Sequence, residues 1–143
     1  MMRCKGVCFF ADVPNAEAPH YIVIASDINA DDEMLVIPIS SIKFQENGRY
    51  SYNGQACKYY DDACTFDVGE ITADDGRGVI IKPSFARYEW AKAVKQNDIV
   101  KKQLTQSFRY KCTVSDEILR RIQNGAKTSK ELPPIFRKFF EAF

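Results

Sequence analysis

The chain has a single histidine in 143 residues, and its five cysteines (Cys4, Cys8, Cys57, Cys64 and Cys112) are an odd number without any C-x-x-C spacing. An odd, irregular set speaks against a disulfide framework and against a zinc knuckle, so reduced thiols and no metal site are expected. No stretch reaches the roughly 20 consecutive apolar residues of a membrane span, and the first residues have no long apolar core of a signal peptide. A soluble, cytoplasmic protein with no membrane partner is the expectation. Internal repeats and low-complexity segments are also missing, which removes solenoids and disordered tails from consideration. Isolated acidic pairs, Asp61-Asp62 and Asp74-Asp75, read as solvated loops rather than as a cation site.

What is present is enough apolar material for one core: 45% of the residues are hydrophobic, ample for a single domain of this length. The near-neutral total of +1 conceals a division of charge. Residues 1–81 carry six Lys/Arg against thirteen Asp/Glu, whereas residues 82–143 carry fourteen against six. A basic second part suits a phosphate-bearing or acidic partner; equally, the two parts could complement each other within the fold.

The first two-thirds reads as β structure. Val7 to Phe10 is a short apolar run, Tyr21 to Ser26 is rich in β-branched residues, and Met34 to Ile39 follows after a polar turn, giving a hairpin. Pro38 predicts that the second strand ends at an edge or bulge, since proline cannot donate to a ladder. Asn47-Gly48 and Asn53-Gly54 are turn signals, Ala63 to Val68 alternates like a half-buried strand, and Val79 to Ile81 is one further strand. Closely spaced short strands suggest a small barrel.

Beyond this point the spacing becomes helical. Ser84 is placed to cap a helix from Phe85, with Tyr88, Trp90, Ala91 and Val94 on its apolar side. A second helix is expected from Asn97 or Asp98, with Ile99, Val100 and Leu104 on one face. A third is capped near Thr113 or Ser115, carries Val114, Ile118, Leu119 and Ile122, and ends at Gly125. Pro133-Pro134 opens a last helix with a phenylalanine-rich face. The fold class is therefore mainly β with C-terminal helices (α+β). Residues 1–94 would form the barrel with its closing helix, and 95–143 a basic helical extension.

The order of several motifs resembles the PemK/MazF-like toxins of toxin–antitoxin systems. They are Pro19-His20-Tyr21-Ile22-Val23-Ile24-Ala25-Ser26 and Leu35-Val36-Ile37-Pro38-Ile39-Ser40-Ser41. Further on come Asp62 to Glu70, and then Ile81-Lys82-Pro83-Ser84-Phe85-Ala86-Arg87-Tyr88. The similarity covers roughly residues 5–94. It implies an SH3-like barrel, a metal-independent and cofactor-free endoribonuclease acting on single-stranded RNA, and neutralisation by a cognate antitoxin. Cleavage would proceed by attack of the ribose 2′-OH on the adjacent phosphate, which needs a proton acceptor, a cation and a donor to the leaving oxygen.

On that resemblance Ser40 stands at the family's active-site Thr/Ser position, Lys82 near a late-strand arginine, and His20 beside the first hairpin strand. Imidazole suits acid–base work at neutral pH. The sequence departs from the family where Pro19-His20 replaces Arg-Pro, where serine replaces threonine, and where Arg77 and Arg87 both compete to be the missing arginine. Ser41, Ser84, Arg77, Arg87, Tyr59 and Tyr60 are candidate RNA contacts. Tyr50, Tyr52, Tyr59 and Tyr60, interleaved with Arg49 and Lys58, offer stacking surfaces for bases, or else close one barrel end. His20 could equally be an exposed turn residue, Ser40 and Ser41 could serve a turn, and Ser84 could be only a cap. The basic extension could bind RNA backbone, dock on the acidic part, or pack its phenylalanines against a second copy in a homodimer. A non-catalytic SH3-like module binding nucleic acid or a protein is the alternative to the enzyme.

Overall fold

The structure, a computed structural model, describes residues 5–12, 20–41, 44–46, 49–52, 55–56, 65–66, 69–73, 75–79 and 84–140. Strand β1 (Val7–Ala11) is followed by β2 (His20–Ile24) and the long β3 (Glu33–Ser41). Next come β4 (Phe44–Glu46), β5 (Arg49–Tyr52) and β6 (Gln55–Ala56), which pair with one another as a separate antiparallel ribbon. The two Asn-Gly dipeptides lie outside the described residues, between the paired strands β4, β5 and β6. The remaining strands are β7 (Thr65–Phe66), β8 (Ser84–Ala86), β9 (Lys92–Lys95) and β10 (Phe108–Thr113); the helices are α1 (Gln96–Leu104) and α2 (Asp116–Thr128). Two 3-10 segments, Tyr88–Trp90 and Pro134–Phe140, complete the chain. The protein is thus α+β, and among the described residues no helix is long and apolar enough to cross a membrane.

The main sheet has seven strands in the order β10-β1-β2-β3-β8-β7, with β9 also on β3. Every pairing is antiparallel. The β2–β3 hairpin is shaped by its own polar residues. Asn29 Oδ1 accepts from the backbone N–H groups of Asp31 and Glu33 at 2.9 and 3.0 Å, and Asp32 takes a left-handed φ of 60°. Ser26 Oγ accepts from Leu35 N–H at 2.9 Å, tying the two strands at the turn.

Strand β3 reads as a continuous apolar run because both of its faces are covered. Leu35, Ile37 and Ile39 face a core completed by Ile118, Leu119 and Ile122 of α2 and by Phe139 and Phe140. Met34 and Val36 face a second core with Phe9, Ile22, Ile24, Phe108 and Ile99 of α1. A strand buried on both sides gains from apolar residues at every position, so alternation disappears.

Several expectations need correction. Pro38 sits inside β3, not at its end. Its carbonyl accepts from Arg87 N–H at 2.8 Å, so its polar edge faces the gap where β8 stops and β9 has not begun. No ladder donor is required there, which makes proline harmless. Ser84, Phe85 and Ala86 form a strand, not a capped helix: the free edge of β3 recruits them, and tertiary pairing overrides the helical spacing. Val79 lies buried just after the Thr72–Gly78 bridge and outside any strand, while Ile80 and Ile81 fall outside the described residues.

The segment after residue 94 is not wholly helical, because β10 within it pairs with β1 across the sheet. Helix α1 buries Ile99 but leaves Val100 and Leu104 exposed. Helix α2 is capped as expected, Ser115 Oγ accepting from Ile118 N–H at 3.2 Å, yet it runs through Gly125 to Thr128. Gly125 is needed there because the Tyr88 hydroxyl lies where a Cβ would be. In the last 3-10 segment Phe139 and Phe140 are buried in the chain's own core, and its exposed large hydrophobic residue is Ile135. The phenylalanine face therefore does not present those two rings to a second copy.

Candidate functional site

The sheet register gathers residues that lie far apart in sequence. His20 opens β2, and Tyr21 is paired with Ile39. One step further in the same register, His20 stands level with Ser40, which is itself paired with Phe85 of β8. Strand alternation puts His20, Ser40 and Phe85 on one face, the same face as Met34 and Val36. Arg87 follows two residues after Phe85, at the point where the chain leaves β8 for the 3-10 turn Tyr88–Trp90.

That turn builds the rest of the site. Trp90 holds its indole edge-on to the His20 ring, centroids 5.9 Å apart and planes at 73°. The Arg87 guanidinium lies 3.3 Å from the centroid of the same indole, a cation stacked on an electron-rich face. Arg87 Nε donates to Glu89 Oε1 at 2.7 Å. Both partners are largely enclosed, with side-chain exposures of 9% and 24%. A charge so enclosed requires a counter-ion, and Glu89 provides it. Ser40 differs from the other members: it is 2% exposed, and its hydroxyl, among the described residues, has no hydrogen-bond partner. In this conformation the hydroxyl is closed off from solvent, so no ligand reaches it without movement of a neighbour.

The structure therefore brings together His20, Ser40 and Arg87. It does not bring Ser41 and Ser84 to the same face: they pair with each other one register step on, and alternation turns them to the opposite side. Arg77 is exposed in the 75–78 loop, its backbone N–H on Asp75 Oδ1 at 3.0 Å and its Nε 3.4 Å from Asp75 Oδ2. Lys82, Tyr59 and Tyr60 lie outside the described residues. Glu89 and the contact role of Trp90 were not foreseen from sequence. The signal was Arg87-Tyr88-Glu89-Trp90 itself, opposite charges two apart between aromatic residues, which a helical interpretation assigns to a solvated face.

Among the described residues, charge complementarity between the acidic and basic parts is seen at one ion pair. Arg121 of α2 pairs with Glu70 and lies over the Phe66 ring, 5.2 Å from its centroid. Lys92, Lys95, Lys101, Lys111, Arg120 and Lys127 are exposed. Lys102 and Arg109 are laid over Phe108 and Phe10 at 5.3 and 5.0 Å.

Two buried thiols complete the polar inventory. Cys8 and Cys112 are direct cross-strand partners and both are fully buried. The Cys8 thiol is pushed well up, first by its hydrogen bond with the Cys112 thiol and then by burial. Such thiols are poor nucleophiles. Burial also raises the Tyr21 phenol.

Compared with protein-family models and with curated proteins, the chain matches none. The chemistry of the His20–Arg87 face has to stand on its geometry.

Proposed function

We propose that the chain is a metal-independent endoribonuclease toxin of the PemK/MazF-like kind, built on an SH3-like barrel and acting in the cytoplasm on single-stranded RNA. The observation that carries this reading is the meeting of His20 and Arg87 on Trp90, with Ser40 level with His20 in the sheet register and on the same face. Internal transesterification at a ribose, in which the 2′-OH displaces the 5′-oxygen from the adjacent phosphate, needs an acid–base group and a fixed cation within one small area. His20 supplies the first and Arg87 the second. Arg87 is planar and delocalised, suited to the paired oxygens of a phosphodiester, and its stacking on Trp90 fixes its plane.

In this reading His20 removes the proton from the 2′-OH or returns one to the leaving 5′-oxygen, and Arg87 balances the charge that builds on the phosphorus oxygens. Lys82 is a second candidate cation and Ser40 a hydrogen-bond donor to phosphate once uncovered. The outward lysines and arginines of α1 and β10, which lie on the same side of the sheet, would hold the RNA backbone. The need for a 2′-OH makes RNA and not DNA the substrate. A cognate antitoxin would silence the enzyme by covering this face, and a homodimer remains compatible with it.

The test is incubation of the purified protein in EDTA with a mixed-sequence single-stranded RNA, beside a folded His20→Ala/Arg87→Ala double variant. Discrete fragments with cyclic-phosphate ends, made by the parent alone, support the enzyme. Absence of cleavage at saturating RNA would remove catalysis. A non-catalytic nucleic-acid-binding module is the second reading, favoured by the closed-off Ser40 hydroxyl and by the neutralisation of Arg87.

A further inference from the structure

The site holds two features that a folded protein has reason to avoid. One is a guanidinium 9% exposed, whose counter-ion is the carboxylate two residues along the chain. The other is a buried hydroxyl, Ser40 Oγ, without a partner among the described residues. Leaving such a donor unmet costs stability, and most buried donors are met. Both features are resolved by the same thing: an anion with several acceptor oxygens, seated on Arg87 and reaching Ser40.

From this we infer that Glu89 is an internal latch: its carboxylate occupies on Arg87 the place of a ligand's phosphate, and the site accepts a phosphodiester only by displacing it. The inference deepens the RNA-binding reading above and rests on it. Local geometry supports the latch. Arg87 precedes the 3-10 turn and Glu89 lies within it, so the turn itself curls the carboxylate back onto Nε at 2.7 Å. One face of the guanidinium is already taken by Trp90. A phosphate that approaches along the Nε edge therefore competes with Glu89. The parent exchanges one anion for another at Arg87, so the site contributes little net charge to binding until the latch is removed.

The experiment measures binding of a 5′-labelled, mixed-sequence single-stranded RNA by fluorescence anisotropy, in EDTA and at several salt concentrations. It uses the full chain and the variants Glu89→Gln, Glu89→Asp and Arg87→Ala, each checked by circular dichroism. Glu89→Gln keeps the shape and removes the charge. It is expected to bind about fivefold more tightly, the upper range for loss of a partly exposed ion pair. Its salt dependence should steepen by about 0.7 in log–log slope, as for one more phosphate neutralised on a single strand. Glu89→Asp, with the carboxylate drawn back, should fall between, and it carries the test if the glutamine variant does not fold. Loss of binding in Arg87→Ala without any gain in the Glu89 variants would overturn the latch and leave the RNA site standing, Glu89 then serving to orient Arg87. Equal binding by all four proteins, or by none, would overturn both.

Discussion

Replacing Gly125 by alanine should destabilise this protein, although helix propensity alone says the reverse. Gly125 lies inside α2, where alanine is favoured over glycine by about 1 kcal/mol. Here the Tyr88 hydroxyl rests on the glycine and donates to the Ile122 carbonyl at 2.8 Å. A Cβ on residue 125 would collide with that hydroxyl and lie 3.0 and 3.3 Å from two ring carbons. Tyr88 is 2% exposed and has no open direction to retreat. The substitution loses the hydrogen bond, about 1 kcal/mol, and overpacks the core, about 1–3 kcal/mol. Set against the propensity gain, the net is a loss of about 1–3 kcal/mol. Urea denaturation of the single variant, of Tyr88→Phe and of the double variant measures it, with a melting shift of about 4 °C for each kcal/mol in a chain of this size. Without the hydroxyl the worst contact is gone, so the two substitutions should cost less together than the sum of their separate effects. A Gly125→Ala variant more stable than the parent would refute the packing logic. The contact matters beyond stability, because Tyr88 is bracketed by Arg87 and Glu89, and α2 thereby anchors the turn that carries both.

Other outcomes follow from the same structure. Ser40→Ala removes an unmet buried hydroxyl and should leave stability unchanged or raise it by about 1 kcal/mol; a loss larger than that in a thermal melt would mean the hydroxyl has a partner after all. Ser115→Ala removes the cap on α2 and should cost about 1 kcal/mol, read from urea midpoints at constant slope. The raised Cys8 thiol stabilises the fold while it stays protonated, so its contribution is complete at neutral pH. It should decline from about pH 8.5, the ordinary thiol value, upward through the raised folded value. Tyr21, raised by burial, adds a similar decline at higher pH. Denaturation from pH 7 to 10.5 should therefore show falling stability, and Cys8→Ala should flatten the limb; equal slopes for parent and variant would contradict this.

How much of this was legible in the sequence depended on whether a signal was local. The hairpin of β2 and β3 could be read because Asn29, Asp31 and Asp32 supply turn chemistry within a few residues, and the cap at Ser115 for the same reason. The helix expected at Ser84 failed because its evident period, Phe85, Tyr88 and Val94, arises from a strand, a 3-10 turn and another strand laid along β3. Strand β10 was missed although Phe108 and Cys112 face inward between basic residues, since a run of lysine and arginine suggests a solvated helix. At the site, His20, Ser40 and Arg87 were each visible as residue types with a possible role. The place of Arg87 on the face of His20 and Ser40 was not, because it comes from the pairing of β3 with β8, whose residues lie dozens of positions apart.

The choice between enzyme and binding module turns on movement of one short turn. In the arrangement described, His20 is half-buried against Trp90, Arg87 is neutralised by Glu89, and Ser40 is sealed. The first two of these are contacts made within the segment Arg87–Trp90 or with it. The same segment is held on one side by the Pro38 carbonyl and on the other by Tyr88 in α2. Its backbone is therefore anchored on both sides, while the Arg87, Glu89 and Trp90 side chains hold one another and His20. A ligand that rearranges those side chains opens the face without unpairing the sheet; one that must shift the backbone has to break both anchors. An acid–base site needs only the first kind of opening, because His20 already meets Trp90 at its edge and Arg87 has only to exchange one anion for another.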